Sequence, residues 1–259
     1  MAAPADVGSS RQSTCWRLMK RHALPILICM AIAIWGHHRL ELVLAVLFFV
    51  PLTAVSVGAR AVAGACCGAA IERVSIFAGK PWCHFSVRGI PVEIGYWPFS
   101  GSMKFDELDF NDGRSYEQLH LWKRLLITVS GPFTLLIMGY LFLGSDCLHA
   151  MRDFYPTFIG GTVSPRSHGV DALAAYFRDL GQGEYRAAFG ILAVVFAALN
   201  LLPLPTLNGG EAIMEVVQSL SGRRLGERTI MAMRITALLV LMAAMASWAF
   251  ALVLLLFFQ

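Results

Sequence analysis

The chain has 259 residues, of which 57% are hydrophobic and 15% charged, with a mean hydropathy of +0.62. Soluble domains carry about 25% charged residues, so this balance excludes an ordinary soluble globule and places the chain in the membrane class. The net charge of +4 is modest and no basic run is interleaved with aromatics, which leaves nucleic-acid binding without support. The cysteines, Cys15, Cys29, Cys66, Cys67, Cys83 and Cys147, form no C-x-x-C pair and are scattered. They therefore read as small apolar residues rather than as a zinc ribbon or a disulfide framework.

In chain order, residues 1–22 form a basic tail, predicted cytoplasmic. Residues 23–36 follow as a short apolar stretch, and Gly36-His37-His38-Arg39 offers no small-x-small cleavage site. That argues for an uncleaved extra N-terminal span rather than a signal peptide. Further spans are predicted at about 40–67, 122–145, 187–206 and 232–258, since a span needs ~20 apolar residues. Between the second and third spans, residues 71–110 contain β-branched and aromatic alternation at Ile71–Ile76 and Val92–Tyr96. Gly79-Lys80-Pro81 and Arg88-Gly89-Ile90-Pro91 supply turns. The loop 146–184 holds no clear repeat and is too short for a typical extra domain of ~100 residues. The fold class is thus an all-α polytopic membrane bundle with a small membrane-associated β insertion.

Lys and Arg set the orientation. Arg11, Arg17, Lys20 and Arg21 precede the first span; Arg73, Lys80, Arg88, Lys104, Arg114, Lys123 and Arg124 separate the second from the third; Arg223, Arg224, Arg228 and Arg234 precede the last. Short loops rich in Lys and Arg stay cytoplasmic. Five spans with the N-terminus inside and the C-terminus outside satisfy this distribution.

Three separated stretches carry a family resemblance. Gly68-Ala69-Ala70-Ile71-Glu72-Arg73, continuing to Gly79-Lys80, is similar to the segment after the zinc-binding helix of bacterial site-2 proteases. Pro98-Phe99-Ser100-Gly101 resembles the P-x-G-G-Y-V of that family's β-loop. Asn200-Leu201-Leu202-Pro203-Leu204-Pro205-Thr206-Leu207-Asn208-Gly209-Gly210 is close to N-x-x-P-x-P-x-L-D-G-G. Val129-Ser130-Gly131-Pro132 adds a weaker match. The resemblance covers about residues 40–240, in order, and implies a site-2-protease-like membrane core in a bacterial inner membrane.

That family's chemistry requires H-E-x-x-H on the first core helix. Two His at i and i+4 grip one zinc, the Asp of L-D-G completes the site, and the Glu takes the proton of a water whose pKa the metal lowers to ~7. Counting back from Gly68 sets this motif on Ser56-Val57-Gly58-Ala59-Arg60. Ser56 stands at the first His, Val57 at the Glu, Arg60 at the second His and Asn208 at the Asp. Val57 accepts no proton, and Ser56 and Asn208 offer only neutral oxygens. A guanidinium ~4 Å from a divalent ion, at an effective dielectric of ~20, is repelled by roughly 8 kcal/mol. No other register rescues the motif, because no two of His22, His37, His38, His84, His120, His149 and His168 lie four apart. The family implies zinc, and this chain is expected to bind none.

Arg60 lies within a span, where a charge invites a functional reading. One reading is that it replaces the metal's positive charge and pairs with Glu211, with Asn208 and Ser56 satisfying further donors of the guanidinium. The favoured reading sets Arg60 at the cytoplasmic end of its helix, with its side chain snorkelling to the headgroups. Gly101, Asn200, Pro203, Pro205 and Glu211 are the candidate lining of a cleft for a partner strand, because broken backbone at membrane depth survives only where protein or a cavity satisfies it. His37-His38 read as a wet loop, Asp106, Glu107, Asp109 and Asp112 as a solvated face, and Ser130 as a packing residue. The expected function is that of a catalytically inactive, site-2-protease-like protein that binds or regulates a membrane protein or transmembrane-helix partner in the lipid bilayer. Two alternatives stand beside it: an active intramembrane metalloendopeptidase with an atypical site, and a structural subunit of a membrane complex.

Overall fold

The computed structural model describes residues 39–98, 100–105, 116–222 and 226–258. The N-terminal tail 1–22, the extra span 23–36, His37-His38 and the acidic cluster Asp106, Glu107, Asp109 and Asp112 lie outside the described residues.

The apolar run after the N-terminal segment forms helix α1, Arg39–Cys67, which continues straight into a small sheet. The sheet's strands are β1 (Ile71–Ser75), β2 (Cys83–Val87), β3 (Ile90–Ile94) and β4 (Ser102–Phe105), in the spatial order β2-β3-β1-β4. β2 and β3 form a hairpin closed by Arg88 and Gly89, both with positive φ, as a two-residue turn matched to strand twist requires. β1 runs parallel to β3 and antiparallel to β4. The register sets Val74 beside Val92 on the inner face.

A 3-10 turn, Tyr116–Gln118, leads into α2, Leu121–Leu143. Helix α3 (Asp146–Val163), a π turn (Pro165–Gly169) and α4 (Val170–Gly181) follow. Then come α5 (Tyr185–Asn200), α6 (Asn208–Ser221) and α7 (Glu227–Phe258). Three of these, Leu40–Cys67, Leu121–Leu143 and Glu227–Phe258, are long and apolar enough to cross a membrane.

Two expectations are refined. The stretch 187–206 is helical only within α5, which has 16 residues, short of the ~20 a perpendicular crossing needs. Helix α5 ends at Asn200, whose side-chain amide donates to the Phe196 carbonyl, and the chain then turns through 201–207. The region 146–184, read as a plain loop, contains α3 and α4. Their apolar positions recur at helical spacing, and α4 buries Val170, Phe177 and Leu180 against Ala251, Leu255 and Leu256 of α7. Trp248 of α7 ties α3 in, donating its indole N–H to the Phe158 carbonyl at 3.3 Å.

The centre of the bundle is where α1, α2 and α5 meet: Leu52, Leu135, Leu192, Ala193 and Ala197 form one buried cluster. Small residues on α5 let the helix backbones approach closely, which is how helices gain contact energy where lipid is as apolar as Leu. The outer faces carry large exposed apolar side chains, Leu141 and Leu239 among them. Leu135 is fully buried whereas Leu141 on the same helix is 69% exposed. Truncating Leu135 to Ala is therefore expected to cost ~2–5 kcal/mol through the cavity left, and Leu141→Ala close to none, read as unfolding midpoints in detergent.

Candidate functional site

The site is assembled from the inner half of α1, the start of α6 and the approach to β4. On α1, Ser56 and Val57 are each 7% exposed and Arg60 follows one turn on. Asn208, also 7% exposed, is the first residue of α6. Arg60 Nη1 donates to Asn208 Oδ1 at 3.4 Å, and Nη2 lies 3.8 Å from Glu211 Oε2. Glu211 is shared, since its other oxygen lies 4.0 Å from Arg234 Nη2 of α7. Arg60 Nε is buried with no hydrogen-bond partner, so the guanidinium is held on one side only. The sequence favoured a snorkelling Arg60 over a pair with Glu211; the folded chain instead sets Arg60 beside Asn208 and Glu211. No hydrogen bond joins Ser56 to the guanidinium among the described residues.

Val57 faces elsewhere. It forms a buried cluster with Val74 and Val92 of the sheet, flanked by Ala61, Ile71, Ile76, Ile90 and Met103. Val57 is therefore an apolar contact between helix and sheet. Gly101 lies directly above it: a Cβ there would stand 2.5 Å from Val57 Cγ2 and 2.6 Å from the Ile76 carbonyl. The Thr53 hydroxyl donates to the Pro98 carbonyl at 2.7 Å, fastening the same segment to α1.

Asn200, Pro203 and Pro205 maintain the break before α6. Asn200 spends its amide on its own helix, and Pro203 is exposed. Gly209 and Gly210 then dock α6 against the turn; any Cβ at Gly210 would strike the Leu204 carbonyl at 2.1 Å. Thus Gly101 and Glu211 of the cleft candidates touch the α1 face, while Asn200 and the two prolines shape the chain that presents Asn208.

A second polar group was not foreseen. Glu215, two turns beyond Asn208 on α6, is 8% exposed. It accepts the Tyr116 hydroxyl hydrogen and lies 3.9 Å from Arg124 Nε. Tyr116 also meets the Thr128 hydroxyl at 3.0 Å, stacks on Phe105 at the end of β4, and carries Arg124 over its ring. Burial pushes the Glu215 carboxyl above its ordinary range, more than Tyr116 and Arg124 pull it back, and burial likewise raises the Tyr116 hydroxyl. The sequence signal was the spacing Asn208, Glu211, Glu215, which aligns three polar side chains on one helix face.

These residues do not fit a zinc ion. Val57 offers no donor, Asn208 gives its oxygen to Arg60, and the group beside Asn208 is a guanidinium, which repels a cation. Among the described residues no group of three or more His, Cys, Asp or Glu could hold a metal.

The Glu211→Gln substitution removes the charge shared by Arg60 and Arg234. At side-chain exposures of 21% and 33% for the Arg60 pair it is expected to lower stability by about 1 kcal/mol, read by thermal unfolding in detergent. Glu215 gives a pH signature. Its folded-state pKa is raised, so the folded chain holds that proton more tightly than the unfolded one. Its contribution to stability is therefore fully present below the ordinary carboxyl pKa and falls as pH rises through the raised one. Unfolding midpoints of wild type should decline across that window, and Glu215→Gln should flatten the slope.

Among known families, the model described as Peptidase family M50 matches residues 61–244, more than half of the chain. No curated protein matches the sequence.

Proposed function

The chain belongs to Peptidase family M50, the site-2 protease family, and from that premise we propose that it is a pseudoprotease, a catalytically inactive member that binds or regulates a membrane protein partner. The observation that carries this reading is the fate of the catalytic face. Val57, at the position of the general base, is buried against Val74 and Val92, and Arg60, at the position of a metal ligand, is engaged by Asn208 and Glu211. A helix that has turned its reactive face into packing and an ion pair keeps the scaffold and loses the means of activating water.

Partner binding is supported by what stays available. β4 is an edge strand of the sheet, immediately after Gly101, and Ser102 and Lys104 are the strand residues around it. Edge strands offer backbone donors and acceptors to an extended segment of another chain. The occupant in this reading is a locally unwound segment of a single-span membrane protein. The spans 23–36 and 187–206, the five-span topology and the cytoplasmic N-terminus belong to the same proposal.

A second reading has its own observation. The close seat of Gly101 on Val57 and the Thr53–Pro98 hydrogen bond hold the β segment down on α1, as a structural subunit with a self-filled cleft would require.

Two measurements decide. Elemental mass spectrometry of the full chain, purified without added metal and dialysed against chelator, should give a zinc stoichiometry near zero; a dialysis-resistant value near one would overturn the pseudoprotease reading in favour of an active enzyme with an atypical site. A photoreactive side chain at Ser102 should crosslink a single-span membrane protein in intact membranes. Absence of any such adduct, with zinc at zero, would select the structural subunit.

A further inference from the structure

The α1–α6 junction holds more positive charge than its own residues neutralise. Arg60 and Arg234 converge on one carboxylate, Glu211, at 3.8 and 4.0 Å. Both separations exceed hydrogen-bonding distance, so the carboxylate is divided between two guanidiniums and held closely by neither. Among the described residues the one hydrogen bond from the Arg60 guanidinium is the 3.4 Å contact of Nη1 with the neutral Asn208 oxygen, and Nε is buried with no acceptor. A guanidinium carries five N–H donors, and a desolvated donor left unmatched is costly. Glu215, the next acid on α6, brings no relief, because Tyr116 and Arg124 engage it. The helix adds to the imbalance. Asn208 is the first residue of α6, a helix of 14 residues with no side-chain cap from Leu207. A cation there meets the positive end of the helix dipole, the reverse of the favourable arrangement. The junction is also reachable, since the side chains of Arg60, Glu211 and Arg234 are 21%, 33% and 52% exposed.

We propose that Arg60 binds the carboxylate of an acidic residue, an aspartate or glutamate in the unwound membrane segment of the partner, and that Glu211 is an internal competitor for the same guanidinium. This inference rests on the partner-binding reading above and names the chemistry of the partner. Val57, three residues before Arg60 on α1, is the seat of Gly101, and Gly101 leads directly into the edge strand β4. A segment laid along β4 therefore brings its side chains to the helix that holds Arg60. An acid inside a span is expensive in hydrocarbon and is stabilised by pairing within a protein. The planar fork of a guanidinium suits the two oxygens of a carboxylate. The positive excess at the junction thus selects, among single-span proteins, those that carry an acid beside the unwound segment, and Glu211 weakens the interaction enough to keep it reversible.

The test uses the full chain in phosphatidylcholine nanodiscs, in mildly alkaline buffer, with a matched pair of synthetic peptides. Each peptide is a single leucine–alanine span interrupted by a glycine–proline pair, with either aspartate or asparagine next to the break. Binding is followed by energy transfer between fluorophores on peptide and chain. The aspartate peptide is expected to bind about tenfold more tightly than the asparagine peptide, the worth of one charge-assisted hydrogen bond. Arg60→Gln should bring that ratio close to one. Glu211→Gln should move it the other way, tightening the aspartate peptide several-fold with the asparagine peptide unchanged, because the competitor is gone. Loss of fold does not produce opposite shifts from two variants that each remove one member of the same ion pair. Equal affinities for wild type, a preference that survives Arg60→Gln, or weaker aspartate-peptide binding in Glu211→Gln would overturn the proposal. So would loss of the preference when acetate is added at the peptide's concentration, or when phosphatidylglycerol replaces part of the lipid, since the guanidinium would then serve a free carboxylate or a lipid phosphate. Crosslinking from Ser102 separates this inference from the reading beneath it. Equal capture of both peptides keeps partner binding and removes the acid requirement, whereas capture of neither removes both.

Discussion

A guanidinium two turns inside a membrane helix must find oxygen acceptors, because hydrocarbon offers none. Arg60 meets that requirement with the first turn of α6, and much of the local architecture follows from it. Asn208 has to be presented edge-on to α1, so the chain between α5 and α6 must turn sharply, which Pro203, Pro205 and the glycines at 209 and 210 allow. Glu211, one turn later, adds the charge that Asn208 lacks and reaches across to Arg234 of α7. One ion-pair cluster thus joins the first and last described spans through a short helix that spans nothing itself.

Helix α6 carries this polar logic along its length. Asn208 and Glu211 meet Arg60 and Arg234, while Glu215, fully inside, meets Tyr116, Thr128 and Arg124. Two neighbouring carboxylates on one face repel, and Glu215 is further penalised by burial, so each stays at its position only because a cation from a different element faces it. The arrangement fastens α1, α2, α7 and the segment after β4 to one another.

The apolar half of the same junction is Val57. A carboxylate at this position could not be set against Val74 and Val92 without losing its hydration. A valine there makes the sheet and the helix one core, with Thr53 and Gly101 closing the seam. The charged and apolar contacts are therefore complementary: Arg60 keeps α6 docked, and Val57 keeps the sheet docked.

Much of this was legible in the residues alone. Uncharged apolar runs marked the long helices, because hydrophobic length is a local property. The turn chemistry of Arg88-Gly89 marked the hairpin, and the spacing of Asn200, Pro203, Pro205 and Asn208 marked the family and the break. That the chain contains no H-E-x-x-H was visible because it concerns residue identity rather than geometry. What only the folded chain decided is which distant side chains share a space. Glu215 reads in the sequence as an ordinary helix-surface acid until Tyr116 and Arg124, ninety or more residues earlier, close over it. Val57 reads as one more apolar residue of a span until the sheet packs Val74 and Val92 against it. Helices α3 and α4 hold too few apolar residues to announce a span, and their burial depends on α7. Composition and period fix what each segment can be; the three-dimensional packing, summed over contacts between segments far apart in the chain, decides which polar groups are left to face one another.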